Sequence, residues 1–173
     1  MEETEEVSGD KRMVGIKYGL IATVFGIVFF LGQVFAGQNP YTMKGGWVVS
    51  VLSTALFLFL AHKEYKNDNN GFMSYGDGLL VAVWYTIVSV VVGMLFSYIY
   101  VHFIDTNIMK EFWEKNYEEM QQRGQSDDAI EKTQSMIKSV FWGFAIFFAV
   151  LISMGVALIV TIFTQKKPPE QRF

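Results

Sequence analysis

The sequence predicts an all-α polytopic membrane protein, with four transmembrane helices in a bundle and an amphipathic extramembrane helix in the third loop. The first observation is the segregation of charge along the 173 residues, of which 51% are hydrophobic. Four segments hold 29 of the 31 charged side chains, and they are residues 1–13, 62–77, 105–138 and 166–173. Because a soluble fold needs polar residues along every surface element, this distribution excludes one.

The second observation is the length of the stretches without Asp, Glu, Lys or Arg. They are residues 18–43, 45–62, 78–104 and 139–165, which are 26, 18, 27 and 27 residues long. A helix needs roughly 20 apolar residues to cross ~30 Å of hydrocarbon, and its backbone must be satisfied internally there. We therefore predict spans at residues 14–36, 46–62, 79–104 and 139–164. The second is the shortest, but Trp47 at one end, and His62, Lys63 and Tyr65 at the other, supply interfacial anchors.

The first apolar segment also permits a second interpretation. Lys11 and Arg12 precede it, and Val34, Phe35 and Ala36 are similar to a signal-peptidase site, as in a secretory signal. The acidic start and the length of the apolar run favour a transmembrane span. Residues 1–13 are then an acidic, disordered tail before a membrane domain of residues 14–165.

Four spans place both termini on one side of the membrane, together with the loop 62–78. Loops 37–45 and 105–138 lie on the other side. The terminal side carries eight Lys and Arg residues, against six on the other, and they lie close to the helix ends, where the positive-inside bias acts. We therefore expect a protein of the inner, cytoplasmic membrane, with both termini and the tail 166–173 in the cytoplasm.

The loop of residues 105–138 is too long for a simple connection. Apolar side chains share one helical face of residues 107–122, with opposite charges four residues apart, which indicates an amphipathic helix. Asp105 or Thr106 would cap it, and it would end near Gly124. Its four Glu and two Lys favour packing on the outer end of the bundle, or a docking partner, over a membrane surface. After Ser126 one helix can run without a break from residue 127 to 164.

Small residues at helical spacing predict how the spans associate, since helices in lipid pack through small side chains and hydrogen bonds. This small-residue seam comprises Ala145, Ala149, Ser153, Ala157 and Thr161 on the fourth span, Ser89, Gly93 and Ser97 on the third, and Gly15 and Gly19 on the first. Packing within one chain is the commonest use of such spacing. A substrate path and a homodimer interface remain alternatives.

No motif for catalysis or cofactor binding stands out. Cysteine is absent, and no zinc-binding, phosphate-binding or nucleophile-elbow pattern occurs. The spans contain no carboxylate near their middle, which disfavours a proton relay. The net charge of -3 argues against nucleic acid. We expect no enzyme activity, no cofactor and no metal.

The best polar candidates lie at the ends of the third span. Tyr75 and Asp77 precede it, and Asp77 is suited to cap the helix. At the other end, His102 and Asp105 are three residues apart on one helical face. Such a pair either senses pH or anchors the helix end.

Several short motifs occur in a characteristic order along the chain. They are IKYGLI at 16–21, GFMSYGDG at 71–78, YIYVHFID at 98–105, MQQRGQSDDAIE at 120–131 and ALIV at 157–160, ahead of two lysines. In this order they resemble the bacterial membrane proteins classed as domain of unknown function 4199. Ser139 and Val140 stand where that family has a Pro, so the sequence leaves open whether the chain has a kink before the last span. The resemblance implies a four-helix integral membrane protein and no particular reaction or ligand.

These observations predict a non-enzymatic structural, interaction or accessory subunit of the membrane. Its expected partners are the lipid bilayer and either a second copy or another membrane protein. The alternative is a component of a small-solute transporter or channel, in which Gln33, Ser53, Thr86 and Ser89 would face water.

Overall fold

The computed structural model describes residues 10–167, which form five α-helices and one short π-helical segment. Of the predicted tails, residues 1–13 and 166–173, the parts at residues 1–9 and 168–173 lie outside the described residues, and α1 already begins at Lys11. The helices are α1 (Lys11–Phe35), α2 (Gly46–Asn67), α3 (Tyr75–Ile99), α4 (Asn107–Gln122) and α5 (Asp127–Thr164), and the π-helical segment is Tyr100–Ile104.

Four of these helices are long and apolar enough to cross a membrane: α1, α2, α3 with the π-helical segment, and α5. The predictions of an all-helical chain and of four candidate spans are confirmed. In residues 10–167 the only pairing of extended backbone is an isolated antiparallel bridge between Met73 and Lys166.

The helix bounds differ from the predicted spans where polar residues continue a helix. The helix α2 runs to Asn67, five residues beyond the predicted end at residue 62, because hydropathy does not register a polar last turn. The helix α3 begins at Tyr75 rather than at residue 79, since Ser74 is its N-cap. At its other end the backbone widens into the π-helical segment, where the Asp105 amide donates to the Tyr100 carbonyl at 2.9 Å.

The last helix is a single α-helix of 38 residues from Asp127 to Thr164. The predicted continuity of this helix is confirmed, and the helix is unbroken at Ser139. Ser126 holds the predicted N-cap position, but its side chain makes no capping hydrogen bond there. At about 1.5 Å per residue, the twelve residues that precede the predicted fourth span extend α5 by ~18 Å.

The closest helix packing is between α1 and α3. A Cβ added to Gly15 would lie 2.5 Å from the Val81 carbonyl oxygen, and one added to Gly19 would lie 2.9 Å from the Tyr85 carbonyl oxygen. Only a hydrogen atom fits at these two positions, so the backbones of the two helices touch. In turn, α3 packs on α5, and α2 lies against α1 and α5.

The long helices have two ends, which carry different structure. At the terminal end lie the start of α1, the end of α2, the start of α3 and the end of α5, and the Met73 and Lys166 backbones exchange hydrogen bonds of 2.9 and 2.8 Å there. At the opposite end, called the α4 end, α4 packs against α5 and the π-helical segment. Both ends of the described chain therefore lie at the terminal end, together with the loop of residues 68–74.

Candidate functional site

A polar cluster at the terminal end is centred on His62, which is fully buried near the end of α2. Its Nε2 atom lies 3.0 Å from the carbonyl oxygen of Gly78 on α3. Its Nδ1 atom lies 2.8 Å from Oγ1 of Thr164, the last residue of α5. One imidazole therefore connects three helices, α2, α3 and α5.

The partners of the imidazole determine where its protons lie. A carbonyl oxygen only accepts, so Nε2 of His62 carries a hydrogen and donates it to Gly78. The Thr164 hydroxyl lies 2.8 Å from both His62 Nδ1 and the Val160 carbonyl oxygen, and it has one proton to donate. A neutral imidazole accepts this proton at Nδ1. A protonated imidazole donates to Thr164, whose hydroxyl then donates to Val160, so this geometry satisfies both protonation states.

Charged residues around this imidazole pair with other groups. Lys66 donates to the Thr164 carbonyl oxygen at 3.0 Å, so a cation stabilises the C-terminal end of α5. Glu64 accepts from Lys17 at 2.7 Å and from the Tyr18 hydroxyl at 3.1 Å, which ties α2 to α1. The Lys66 cation thus lies at the C-terminal end of α5, and the Glu64 carboxylate is paired with Lys17. These contacts suit a structural role for the cluster.

The candidates Tyr75 and Asp77 belong to the same end. Ser74, and not Asp77, is the N-cap of α3: its hydroxyl accepts from the Asp77 amide at 3.1 Å. The Asp77 carboxylate in turn accepts from the Ser74 amide at 3.1 Å, which completes a capping box. Its other oxygen pairs with Lys11 at 2.6 Å. Asp77 thus joins α1 to α3, and Tyr75 is the half-buried first residue of α3.

The candidates His102 and Asp105 lie at the α4 end with separate partners. Nδ1 of His102 is 2.9 Å from the Tyr98 carbonyl oxygen, and its ring stacks on Tyr98 with 4.2 Å between centroids. The Asp105 carboxylate accepts from the Asn107 amide at 3.1 Å. The wider π-helical turn alters the three-residue register, and the Asp105 backbone is extended, so His102 and Asp105 do not form the pair that their spacing allows.

Both predicted cap residues lie at the start of α4, and the capping hydrogen bond is made by Asp105. Thr106 is its N-cap residue, but the Thr106 side chain makes no capping hydrogen bond. The Asp105 carboxylate bonds an amide of the first turn instead. The helix ends at Gln122, and Gly124 follows with a positive φ of 81°.

On α5 the small-residue seam faces the other helices over its second half. Ser153, Ala157 and Thr161 are buried, whereas Ala145 and Ala149 are half-buried. The Ser153 hydroxyl lies 2.7 Å from the Thr86 hydroxyl of α3, and Ala157 packs into a core cluster with Leu58, Ala82 and Tyr85. Intramolecular packing thus accounts for these positions.

On α3 the seam is less uniform. Ser89 donates to the Thr86 carbonyl of its own helix at 3.3 Å, and Ser97 is half-buried. A Cβ added at Gly93 would meet nothing within 4 Å, so this glycine is not at a close helix contact. The two seam glycines of α1 differ from Gly93, since Gly15 and Gly19 both lie against the α3 backbone.

A second feature that the sequence did not indicate is a groove between α1 and α2 at the α4 end. Its volume is about 440 Å³. Among its lining residues are Phe25, Gly26, Phe29, Gln33, Tyr41, Trp47, Ser50 and Ser53. The Gln33 side chain is 8% exposed, and its Oε1 atom is buried with no hydrogen-bond partner in the described part of the chain.

His62 was interpreted as an interfacial anchor, and its burial was missed. The available signal was its place one turn before Lys66, on the helix face that also carries Leu58 and Tyr65. Throughout residues 10–167, no three of the His, Asp and Glu side chains lie close enough together to hold a metal ion.

Comparison with known proteins assigns the family. A family model described as "Protein of unknown function (DUF4199)" matches residues 17–165. The chain belongs to this DUF4199 family. The match includes His62, Gly78, Thr164 and every lining residue of the groove. No curated protein and no solved structure matches the chain.

Proposed function

We propose that this DUF4199 protein is a non-enzymatic accessory subunit of a bacterial inner membrane, and that α4 with the start of α5 forms its docking surface. The observation that carries the proposal is a projecting two-helix unit, defined as residues 107–138 and called the α4–α5 hairpin. Its inner face is packed and its outer face is charged. The expected partner is a membrane protein with a basic surface.

The two helices of the hairpin are fixed to each other by side chains. The Gln134 amide donates to the Trp113 carbonyl oxygen at 2.8 Å, and the Trp113 ring lies 5.3 Å beneath the Lys138 ammonium. Tyr117 and Gln121 both donate to the Asp127 carboxylate, at 2.8 and 3.0 Å. This hydrogen bond to Asp127 raises the pKa of Tyr117. A rigid unit loses little entropy on docking.

The hairpin is also attached to the rest of the molecule. Ile108 is buried, and its carbonyl oxygen accepts from the Asn39 amide of the loop between α1 and α2 at 2.7 Å. Phe112 packs against Phe141 and Tyr41, with centroids 5.6 and 6.0 Å apart. Ile108 and Phe112 thus attach α4 to the long helices and to the loop between α1 and α2.

The opposite face of α4 is exposed and acidic. Its charged residues are Lys110, Glu111, Glu114, Lys115, Glu118 and Glu119, all of them exposed. Only Lys110 and Glu114 form an ion pair on this helix, at 3.9 Å. Four carboxylates against two ammonium groups favour a basic partner, because complementary charge guides association.

The test of docking is a charge reversal on this face. We expect the double substitution Glu118→Lys with Glu119→Lys to abolish association with a partner captured by crosslinking in intact membranes, since two attractive contacts become repulsive. The neutral pair Glu118→Gln with Glu119→Gln should weaken it less. Lys63→Glu, an exposed reversal at the terminal end, is the control and should leave the complex intact.

A complex that survives the double reversal and dissociates with Lys63→Glu would refute the assignment of the docking surface. If the crosslinked partner is a second copy of this chain, the surface is a homodimer interface and the protein is not an accessory subunit.

The proposed orientation places both termini in the cytoplasm, supported by the Lys and Arg residues near the helix ends. Since the sequence has no cysteine, single cysteines at residues 63 and 118 provide the test. In intact spheroplasts, an impermeant thiol reagent should label residue 118 and leave residue 63 unlabelled. The opposite labelling pattern would place both termini outside the cytoplasm.

A transporter or channel component is the second candidate, and the groove beside Gln33 and Ser53 favours it. Two of the four residues expected to face water have other contacts: Thr86 is buried against Ser153, and Ser89 donates to its own helix. Cysteines at residues 86 and 89 should be protected from an impermeant thiol reagent. Rapid labelling at both positions would favour transport instead.

A further inference from the structure

We propose that the groove between α1 and α2 binds one membrane phospholipid, with an acyl chain in the groove and a hydrogen-bond-donating headgroup, ethanolamine or glycerol, beside Gln33. Neither the docking surface nor the family assignment requires this site. Its volume of about 440 Å³ is within the range of sites that hold small molecules.

The groove opens onto lipid. Its walls are mainly apolar and include Phe25, Phe29 and Trp47. Strongly exposed apolar side chains flank it, with Val28 on α1 and Leu52 on α2 both more than 60% exposed. In a helix that crosses the membrane such side chains face acyl chains, so the groove is continuous with the lipid-facing surface.

The place of Gln33 sets the depth of the headgroup. It is the third residue from the end of α1, where a spanning helix reaches the interface. From Gln33 to Gly26 the groove follows seven residues of α1, about 10 Å of helix rise. This length begins at the interface and covers about the first third of a ~30 Å hydrocarbon core, as an acyl chain does.

The unpartnered oxygen of Gln33 sets the headgroup chemistry. A buried amide without a hydrogen bond is costly, and more so where lipid replaces water. The oxygen needs a donor, and the Gln33 side chain lines the groove, where a headgroup would supply one. An ethanolamine ammonium or a glycerol hydroxyl can donate. A choline headgroup has no N–H or O–H and cannot.

Two glycines of α1 provide a matched pair of variants. A Cβ added at either Gly26 or Gly32 would meet nothing within 4 Å, so neither substitution disturbs packing. Gly26 lines the groove, and Gly32 does not. A leucine at residue 26 fills the groove, whereas a leucine at residue 32 leaves it open.

The first experiment measures occupancy by photocrosslinking. The full-length protein is reconstituted in vesicles of phosphatidylethanolamine and phosphatidylglycerol that contain a trace of the same lipids with a diazirine on one acyl chain. We expect labelling at Phe29 and Val49 of the wild type and of Gly32→Leu, and loss of that labelling to background in Gly26→Leu. Labelling at the exposed Leu151 of α5 should stay constant in all three.

The second experiment measures headgroup preference by native mass spectrometry after mild detergent extraction. The wild type should retain phosphatidylethanolamine or phosphatidylglycerol about fivefold more than phosphatidylcholine, the factor expected of one hydrogen bond worth ~1 kcal/mol. Gln33→Leu should lose this preference while the acyl labelling at Phe29 persists.

Three kinds of result would overturn the proposal. The first is equal labelling of Phe29 in Gly26→Leu and the wild type. The second is retention of phosphatidylcholine equal to that of the other lipids by the wild type. The third is a disulfide between cysteines placed at residue 50 of two copies, or rapid labelling of a cysteine at residue 53 by an impermeant reagent, which would put another chain or water in the groove.

Discussion

At the terminal end, three helices meet around the His62 imidazole through two hydrogen bonds, of 2.8 and 3.0 Å, whereas at the α4 end the long helices contact one another through aromatic rings. Phe30, for example, packs against Phe96 and Tyr100, with ring centroids 5.6 and 5.2 Å away. The terminal end has backbone hydrogen bonds, a capping box and ion pairs besides. The α4 end contains the groove.

This difference follows from the directionality of the contacts. A hydrogen bond fixes distance and angle, so a cluster of them defines one arrangement of helix ends. Aromatic rings attract each other over a range of distances and tilts, and they leave gaps that lipid can fill. We therefore expect substitutions at the terminal end to affect folding and those at the α4 end to affect what the protein binds.

The largest expected effect is at the contact between α1 and α3. Gly15→Leu forces a side chain into the Val81 carbonyl and should lower the free energy of unfolding by about 3 kcal/mol or more. The measurement is the thermal melting temperature of the detergent-purified protein, together with its monodisperse fraction. Gly32→Leu on the same helix is the control and should melt like the wild type. Equal melting of both variants would show that the helices are not in close contact.

The next effect tests the buried imidazole. His62→Ala creates a cavity and leaves the Gly78 carbonyl without its side-chain donor, which should cost about 2 to 4 kcal/mol. His102→Ala, at the exposed histidine of the α4 end, should change the stability by less than about 0.5 kcal/mol. Chemical unfolding in mixed micelles measures both. Similar losses for the two histidines would remove the distinction between the ends.

A smaller effect is expected midway between the ends. A double-mutant cycle of Thr86→Val with Ser153→Ala should give a coupling energy of about 0.6 to 1.7 kcal/mol, the range of hydrogen bonds between helices in lipid. The control cycle combines Thr86→Val with Ser139→Ala, whose hydroxyl bonds within its own helix. Its coupling should be near zero. Equal couplings in the two cycles would mean that Thr86 and Ser153 do not interact.

The smallest effect is expected at Asp77. Asp77→Asn keeps an oxygen that accepts from the Ser74 amide and loses only the partly exposed ion pair with Lys11, so the cost should be about 0.5 kcal/mol. Ser74→Ala removes the cap itself and should cost about 1 kcal/mol. The melting temperatures of the two variants show which substitution destabilises the protein more. A larger loss for Asp77→Asn would show that the ion pair matters more than the cap.

Much of the fold could be predicted because lipid allows few choices. Strand-forming residues such as Ile27 and Val28 are helical, since a backbone in hydrocarbon must satisfy its own hydrogen bonds. The helix of residues 127–164 was predictable as one unit, because nothing in its sequence breaks it.

The candidate site was much less predictable. Asp77 was found because a carboxylate at a helix start has a local signature, but its partner Lys11 is 66 residues away. His102 and Asp105 do not pair, because the π-helical turn alters their register, and no local pattern signals that turn. Spacing alone also did not separate Gly15, which touches another backbone, from Gly93, which touches nothing.

By itself, the sequence determined which segments are helical, where they end to within a few residues, and that their surroundings are apolar. These properties depend on the solvent and on neighbours within one or two helical turns. Only the tertiary structure decided that His62 is buried between Gly78 and Thr164, and that Gln33 borders a groove. Such properties depend on which helices become neighbours and how closely they approach, and this is set by many small contacts summed over the whole chain.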